Sequence, residues 1–258
     1  MVESGLRFRT AAPHYLIGRP PYSARLIRRF VELCGLGKTH RVMDLGCGPA
    51  QLAVALAPFV GEVVAIDPEP AMLQAAAENI ARAKVAVRLV EGSSHDLGPA
   101  LGRFQAVVMG RSFHWMDRPR TLERLDALIE PAGAVALFHD SHPDLPDNAW
   151  RAPLRELLRR YAGEDSGQPH RSPGWLPHEA VLLDSRFRRL ERISVIERRE
   201  TPAETFVHRA FSMSSTAPAR LRDRAEAMAE EIRRLMQSYA TDGTVAEVLE
   251  TEALIARR

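Results

Sequence analysis

The chain has 258 residues, 45% hydrophobic and 26% charged, the ordinary mix of a globular protein able to bury a large core. Its length suits one large domain, or one domain with a sizeable insertion. A net charge of +2 gives little pull on nucleic acid or an anionic membrane, and no apolar run approaches the ~20 residues of a membrane span.

The first ten residues carry Glu3, Arg7 and Arg9 and no apolar signal core, so secretion is not expected. A helix is expected over 23–33. From about residue 40 to 141, short β-branched runs alternate with helical patterns, which argues for a parallel sheet with crossover helices. Arg41-Val42-Met43 leads into Asp44 as the first strand, and Leu52, Leu56 and Phe59 mark a helix. Val63 to Ile66 is a second buried strand ending at Asp67, and Met72, Ala76 and Ile80 share one helix face. Strands follow at 85–90 and 106–109. Leu122, Leu125 and Ile129 mark the next helix, with Pro119 in its first turn and Pro131-Ala132-Gly133 as its stop. A fifth strand is expected over 134–138.

Residues 142–178 break that rhythm with six prolines. Within them Trp150, Leu154, Leu157 and Tyr161 predict one short amphipathic helix in an inserted cap. A sixth strand is expected over 187–195 and a helical region from Ala203. Leu221, Ala225, Met228, Ile232 and Leu235 form a stripe in its second half. A last strand is expected over 244–256. Cys34 and Cys47 make neither a disulfide framework nor a four-thiolate zinc site, and a reducing cytoplasm is the expected compartment.

The stretch Asp44-Leu45-Gly46-Cys47-Gly48-Pro49-Ala50 sits between the first strand and its helix, where open α/β sheets bind ligands. Its glycines let the backbone turn tightly under a ligand. A dinucleotide fingerprint needs a third glycine where Gln51 stands, which weakens a nicotinamide reading. Asp44, just before the first glycine, suits a cationic amino group better than a pyrophosphate. Asp67 ends the second strand at the spacing from Gly46 at which a carboxylate binds both ribose hydroxyls.

Five ordered motifs carry a resemblance: D-L-G-C-G-P-A, V-V-A-I-D-P-E-P-A-M-L, E-G-S-S-H-D-L, S-F-H-W-M-D and L-I-E-P-A-G-A-V. Over about residues 40–141 they resemble a class I S-adenosylmethionine-dependent methyltransferase. H-W-M-D and the upstream Tyr15 and Arg19-Pro20-Pro21-Tyr22 resemble its small-molecule branch, which includes trans-aconitate and quinone methyltransferases. The resemblance implies an α/β fold: a Rossmann-like, mostly parallel seven-stranded sheet with helices on both faces and a helical cap insertion. It implies a lid over 1–39, a cofactor-binding core over 40–141, a cap over 142–186 and the rest of the core over 187–258. The implied cofactor is S-adenosylmethionine, leaving as S-adenosylhomocysteine. Asp44 would hold its amino group, Gly46 and Gly48 would lie under it, and Asp67 would take the ribose. Pro68 and Met72 would pack on the adenine, Ser93, Ser94 and His95 would line its edge, and Tyr15 and Arg19 would close over it. Ala50 and Ser93 depart from a common glycine and a frequent aspartate, and the adenine amino contact would then pass to Asp96 or to backbone.

Arg111, His114 and Trp115 follow the fourth strand. Arg111 reads as a surface arginine or as a carboxylate clamp for cofactor or substrate. His114 is the candidate general base, against a packing role. Trp115, His139 and His142 are candidate walls of the substrate pocket. Two histidines three apart lack a third ligand at recognisable spacing, so no metal is expected. The expected partner is a small-molecule methyl acceptor, with no nucleic acid and no membrane, and the chain is compatible with a homodimer. An RNA or protein methyltransferase and a noncatalytic cofactor-binding subunit are the alternatives.

Overall fold

The computed structural model describes residues 10–163 and 174–258. The first nine residues of the expected lid and residues 164–173 of the expected cap lie outside them. In chain order the elements begin with α1 (Ala12–Gly18), α2 (Ala24–Leu33), β1 (Arg41–Leu45), α3 (Gln51–Leu56), β2 (Glu62–Asp67), α4 (Pro70–Ala83) and β3 (Arg88–Glu91). Then come β4 (Phe104–Gly110), α5 (Arg118–Leu128), β5 (Ile129–Ser141), α6 (Arg151–Ala162), α7 (His178–Leu183) and β6 (Arg189–Pro202). The chain closes with α8 (Thr205–Phe211), α9 (Ala225–Gln237), β7 (Ala240–Thr241) and β8 (Thr244–Arg257).

The chain divides into two compact units. The larger comprises Tyr22–His139, Pro169–Val195 and Thr251–Arg258. The sheet order is β3-β2-β1-β4-β5-β8-β6, and β1 to β4 lie wholly within this unit. β1 pairs in parallel with β2 and β4, β2 with β3, and β4 with β5. Alternation along each strand feeds two cores. Val42, Val63, Ala65, Ala106, Val108 and Ala136 pack with Leu26, Ile27 and Phe30 of α2 and Leu52 and Leu56 of α3. Met43, Val64, Val107, Met109 and Val135 pack with Leu122, Leu125 and Leu128 of α5 and with Leu182 of α7. The apolar runs read from the sequence are therefore strands covered on both faces.

The smaller unit comprises Met1–Pro21, Asp140–Gln168 and Ile196–Glu250. Its core joins Trp150, Leu154 and Leu157, Phe206, Val207 and Ala210 of α8, and Met228, Ala229, Ile232 and Met236 of α9. α1 lies directly on α8: a Cβ added at Gly18 would come within 2.3 Å of the Arg209 backbone nitrogen. The short β7 pairs antiparallel with β8 across Asp242 and Gly243, whose φ angles of +51° and +78° suit a tight hairpin turn. This two-residue strand makes the sheet eight-stranded rather than seven.

Several boundaries move for local reasons. Lys84 takes a left-handed φ of +54° and the Val85 amide bonds back to the Ile80 carbonyl, so β3 starts at Arg88 rather than 85. Pro131-Ala132-Gly133 does not separate helix from strand. α5 ends at Leu128, and β5 starts at once with a register shift between the Phe104–Ile129 and Ala106–Ala134 pairs. Gly133 fits there because a Cβ would meet Ile129 Cγ2 at 2.6 Å. Ser23 caps α2 by accepting the Arg25 amide. Cys34 and Cys47 are free thiols. Among the described residues, no helix is long and apolar enough to cross a membrane.

Candidate functional site

β1 delivers Asp44 and Leu45 into the glycine loop, which is built on positive φ angles. Gly46 has φ +69°, Gly48 +52° and Ala50 +61°. The third is the position where a glycine is common, and the buried alanine adopts the same left-handed turn. The Gly46 and Cys47 amides donate to the Ile66 carbonyl at 2.8 and 3.0 Å, which ties the loop to the end of β2.

Asp44 is 1% exposed, and its Oδ2 accepts the Ala53 amide at 3.0 Å. It thereby caps α3, whose N-cap residue Ala50 offers no side-chain acceptor. Asp67 Oδ2 accepts the Gly48 amide at 2.8 Å and its Oδ1 accepts the Glu69 amide at 3.0 Å. Each carboxylate oxygen keeps a further lone pair for a hydroxyl. Met72 is buried in α4 and Pro68 is exposed. The Gly92 amide donates to the Asp67 carbonyl at 3.1 Å, which sets the Ser93–His95 loop beside the end of β2. There the Asp96 carboxylate accepts from both Ser93 N and Ser93 Oγ at 2.8 Å, and the Ser93 bonds hold it below its ordinary pKa. Arg124 donates to the Ser94 and His95 carbonyls.

On the neighbouring strand, Gly110 ends β4 and Arg111 turns the chain at φ +56°. The Arg111 amide donates to the Phe138 carbonyl at 3.1 Å, and its guanidinium lies 4.6 Å from the Tyr22 ring centroid. Arg111 Nη1 donates to Gln51 Oε1 at 3.2 Å. Ser112 Oγ donates to the Leu45 carbonyl at 2.8 Å. Next, Phe113–Trp115 forms a single 3-10 turn with Phe113 buried and the His114 and Trp115 rings 4.9 Å apart. His139 is exposed on β5.

The structure thus gathers Asp44, Gly46, Gly48, Asp67, the 93–95 loop and Arg111 around the carboxyl ends of β1, β2 and β4 in the larger unit. Tyr15, Arg19 and His142 belong to the smaller unit. There the Arg19 guanidinium lies 5.6 Å from the Tyr15 ring centroid. His142 Nε2 lies 2.9 Å from Glu247 Oε2, as the donor of that bond. Glu247 also accepts from Arg209 at 2.8 and 3.1 Å and from Thr201 Oγ1 at 2.6 Å. Sequence reasoning missed this buried cluster. Its one signal was an acid inside the apolar run of β8. No group of three or more metal-ligating side chains occurs among the described residues.

The electrostatics point to a cation. Burial raises the Asp44 carboxyl to about 7 despite the Ala53 amide, and the nearby Asp67 charge adds to it. Burial likewise raises Asp67, against the bonds from Glu69 and Gly48. Two desolvated acids beside a tight backbone loop suit a ligand that brings positive charge and hydroxyls. An ammonium, a sulfonium and a ribose diol are such groups, so these residues fit S-adenosylmethionine.

Comparison with known proteins agrees with this geometry. Residues 42–133 match a family described as a methyltransferase domain. A Saccharomyces cerevisiae protein, named a probable S-adenosylmethionine-dependent methyltransferase, is 25% identical over 52% of this chain and 47% of its own length. An uncharacterized methyltransferase of Mycobacterium tuberculosis is 27% identical over 68% of this chain and 66% of its own. The chain therefore spans between about half and two thirds of the curated relatives it matches. The structure of a Thiobacillus denitrificans methyltransferase in complex with S-adenosyl-L-homocysteine shares the fold. Its TM-score is 0.51 at 18% identity, covering 97% of this chain and 98% of that one. Residues 42–133 thus match a methyltransferase domain, and the five ordered motifs and this sheet order resemble those of class I S-adenosylmethionine-dependent methyltransferases.

Proposed function

We propose that the protein transfers the methyl group of S-adenosylmethionine to a small-molecule acceptor. The observation that carries the reading is the pair of buried acids, Asp44 and Asp67, around the glycine loop. Asp44 meets the cofactor's ammonium, Asp67 its ribose hydroxyls, and Gly46 and Gly48 leave the backbone close beneath it. Met72, Pro68 and the Ser93–His95 loop are assigned to the adenine side. Tyr15 and Arg19 keep their assignment as closing residues on the strength of the sequence resemblance, as do the lid over 1–39 and the cap over 142–186.

The bound cofactor supplies a methyl group already activated by its sulfonium. The protein's task is to align the acceptor and exclude water, which by itself accounts for much of a rate enhancement. A base helps only an acceptor that must lose a proton, and His114 is the residue assigned to take it. Trp115, His139 and His142 are assigned to acceptor recognition. The net charge of +2 supports a small acceptor over RNA.

The test is incubation with isotopically labelled cofactor and three pools: a metabolite extract, total RNA and total protein. Label in a metabolite supports the proposal. Label confined to RNA or protein overturns the acceptor class and keeps the enzyme class. Cofactor binding without label in any pool points to a binding subunit.

A further inference from the structure

We propose that His14 and His208 form a proton-operated latch that holds α1 on α8 and releases it in acid, so that docking of the N-terminal segment within the smaller unit is controlled by pH.

The two rings meet Nδ1 to Nδ1 at 2.9 Å across 194 positions of the chain, with their centroids 5.0 Å apart. Both residues belong to the smaller unit. Such a contact needs one donor and one acceptor. With both rings neutral, one carries its proton on Nδ1 and donates, and the other carries its proton on Nε2 and accepts. With one ring protonated, the imidazolium Nδ1–H donates to the neutral ring, and the bond is charge-assisted. With both protonated, each Nδ1 is a donor and two like charges adjoin. The closed pair therefore holds one extra proton and not two, whereas separated rings take up both.

The surroundings offer a second charge little relief. The Phe211 ring stands edge-on to His14 with centroids 5.0 Å apart. Burial, with the His208 charge behind it, holds His14 below its ordinary pKa. Among the described residues no carboxylate bonds to either ring. Glu204, one turn before His208, is held by Arg233 of α9 through two bonds of 2.9 Å. Those bonds keep its carboxyl below the ordinary range, with a smaller pull from His208. Arg233 also binds Glu226 and Glu230. Arg209 donates from Nε to the Gly18 carbonyl at 3.2 Å and from its other nitrogens to Glu247. Arg19 lies over the Tyr15 ring.

The docked state thus favours a neutral His14. That stabilisation is complete above about pH 6.5 and is lost as pH falls below it. α1 has seven residues, fewer than the roughly 12–15 an isolated helix needs in water, so it should be helical only while docked.

Hydrogen exchange followed by mass spectrometry tests the latch, with rates corrected for the intrinsic effect of pH. The amides of residues 16–19 report on α1, where the Arg19 amide bonds to the Tyr15 carbonyl, and those of α9 serve as the control. Opening that takes up one net proton should cost the α1 amides up to about 10-fold in protection per pH unit below about 6.5, while α9 keeps its protection. In His14→Gln and in His208→Gln the amide can donate or accept but cannot become charged, so the slope should vanish. A flat wild-type profile, or the wild-type slope retained in both variants, overturns the proposal. The second arm needs no substitution. Nitrogen NMR of histidine-labelled wild type at about pH 7.5 should find one of the two rings protonated on Nδ1 and the other on Nε2. Two rings both protonated on Nε2 would leave the contact without a donor and overturn the latch.

Discussion

The Gly48 amide donates to Asp67 Oδ2 at 2.8 Å, so the acid assigned to the ribose also fastens the glycine loop. Its other oxygen accepts the Glu69 amide at 3.0 Å. Reading Asp67 as a residue that merely ends a strand would lead one to expect an alanine variant of normal stability. The structure changes that expectation. Asp67→Ala leaves two amides without their acceptors and should lower stability by about 1–3 kcal/mol for each that stays buried. Asp67→Asn keeps the shape and one acceptor oxygen, so it should unfold nearer the wild type while weakening S-adenosylhomocysteine by about 1–3 kcal/mol. Urea melts and calorimetry on both variants check this. Wild-type affinity in a folded Asp67→Asn protein would remove Asp67 from the binding site.

Asp44 makes the ligand-free protein pH-sensitive. Its carboxyl is raised to about 7, first by burial and then by the Asp67 charge. A raised carboxyl favours the folded state while it is protonated. That stabilisation is complete below the unfolded value near 4 and is lost as pH rises through about 7, by up to about 4 kcal/mol. Asp67 is shifted in the same direction. Thermal melts of the ligand-free protein should fall between pH 5 and 8 more steeply than those of Asp44→Asn. A bound ammonium favours the charged acid, so calorimetry in buffers of different ionisation enthalpy should detect proton release on S-adenosylhomocysteine binding near pH 7. It should fade by pH 9. No release at pH 7 would contradict the role given to Asp44.

The opposite sign holds for Glu247. Burial pushes its carboxyl up, but the bonds from His142, Arg209 and Thr201 prevail and hold it well below the ordinary range. Its contribution is present above about pH 4.5 and is lost as pH falls toward the depressed folded value. Glu247→Gln leaves the Arg209 charge buried without its counter-ion and should cost about 3–5 kcal/mol. The double variant Arg209→Met/Glu247→Leu removes both charges and should recover most of that loss. Chemical denaturation of the three proteins measures it. A recovery below about 1 kcal/mol would show that the charges are not the source of the loss.

How much the sequence disclosed follows from which interactions are local. β1, β2, β4 and the middle of β5 were legible because strands buried on both faces read as apolar runs. Asp44 and Asp67 were legible because each stands at the end of such a run. α1 was not legible as a helix, since its place depends on Gly18 fitting against the backbone of α8, far along the chain. The Glu247 cluster joins residues 38 and 105 positions apart, and no local pattern announces it. The surroundings of Arg111 were not legible either, because they are tertiary: a left-handed backbone, a tyrosine face and a glutamine from another element.

The two loop glycines are needed for different reasons, and their alanine variants should separate accordingly. At Gly48, with φ +52°, an added Cβ would meet nothing within 4 Å. The penalty there is the left-handed backbone alone, about 1–2 kcal/mol. At Gly46, with φ +69°, the same backbone term applies, and the Cβ would also sit 2.6 Å from Ser112 Cβ. Overpacking of this kind adds about 1–3 kcal/mol. Gly46→Ala should therefore be the more destabilising. It should also weaken S-adenosylhomocysteine, because relieving the collision moves the loop beside Asp44. Ser112→Gly removes the atom in the way while giving up its bond to the Leu45 carbonyl. In that background the stability cost of Gly46→Ala should shrink by at least about 1 kcal/mol, whereas the cost of Gly48→Ala should not change. Denaturant melts of the wild type, the three single variants and the two doubles provide both cycles. Equal coupling of Ser112 to the two glycines would mean that backbone conformation, not the close approach of the β1 and β4 loops, makes Gly46 necessary.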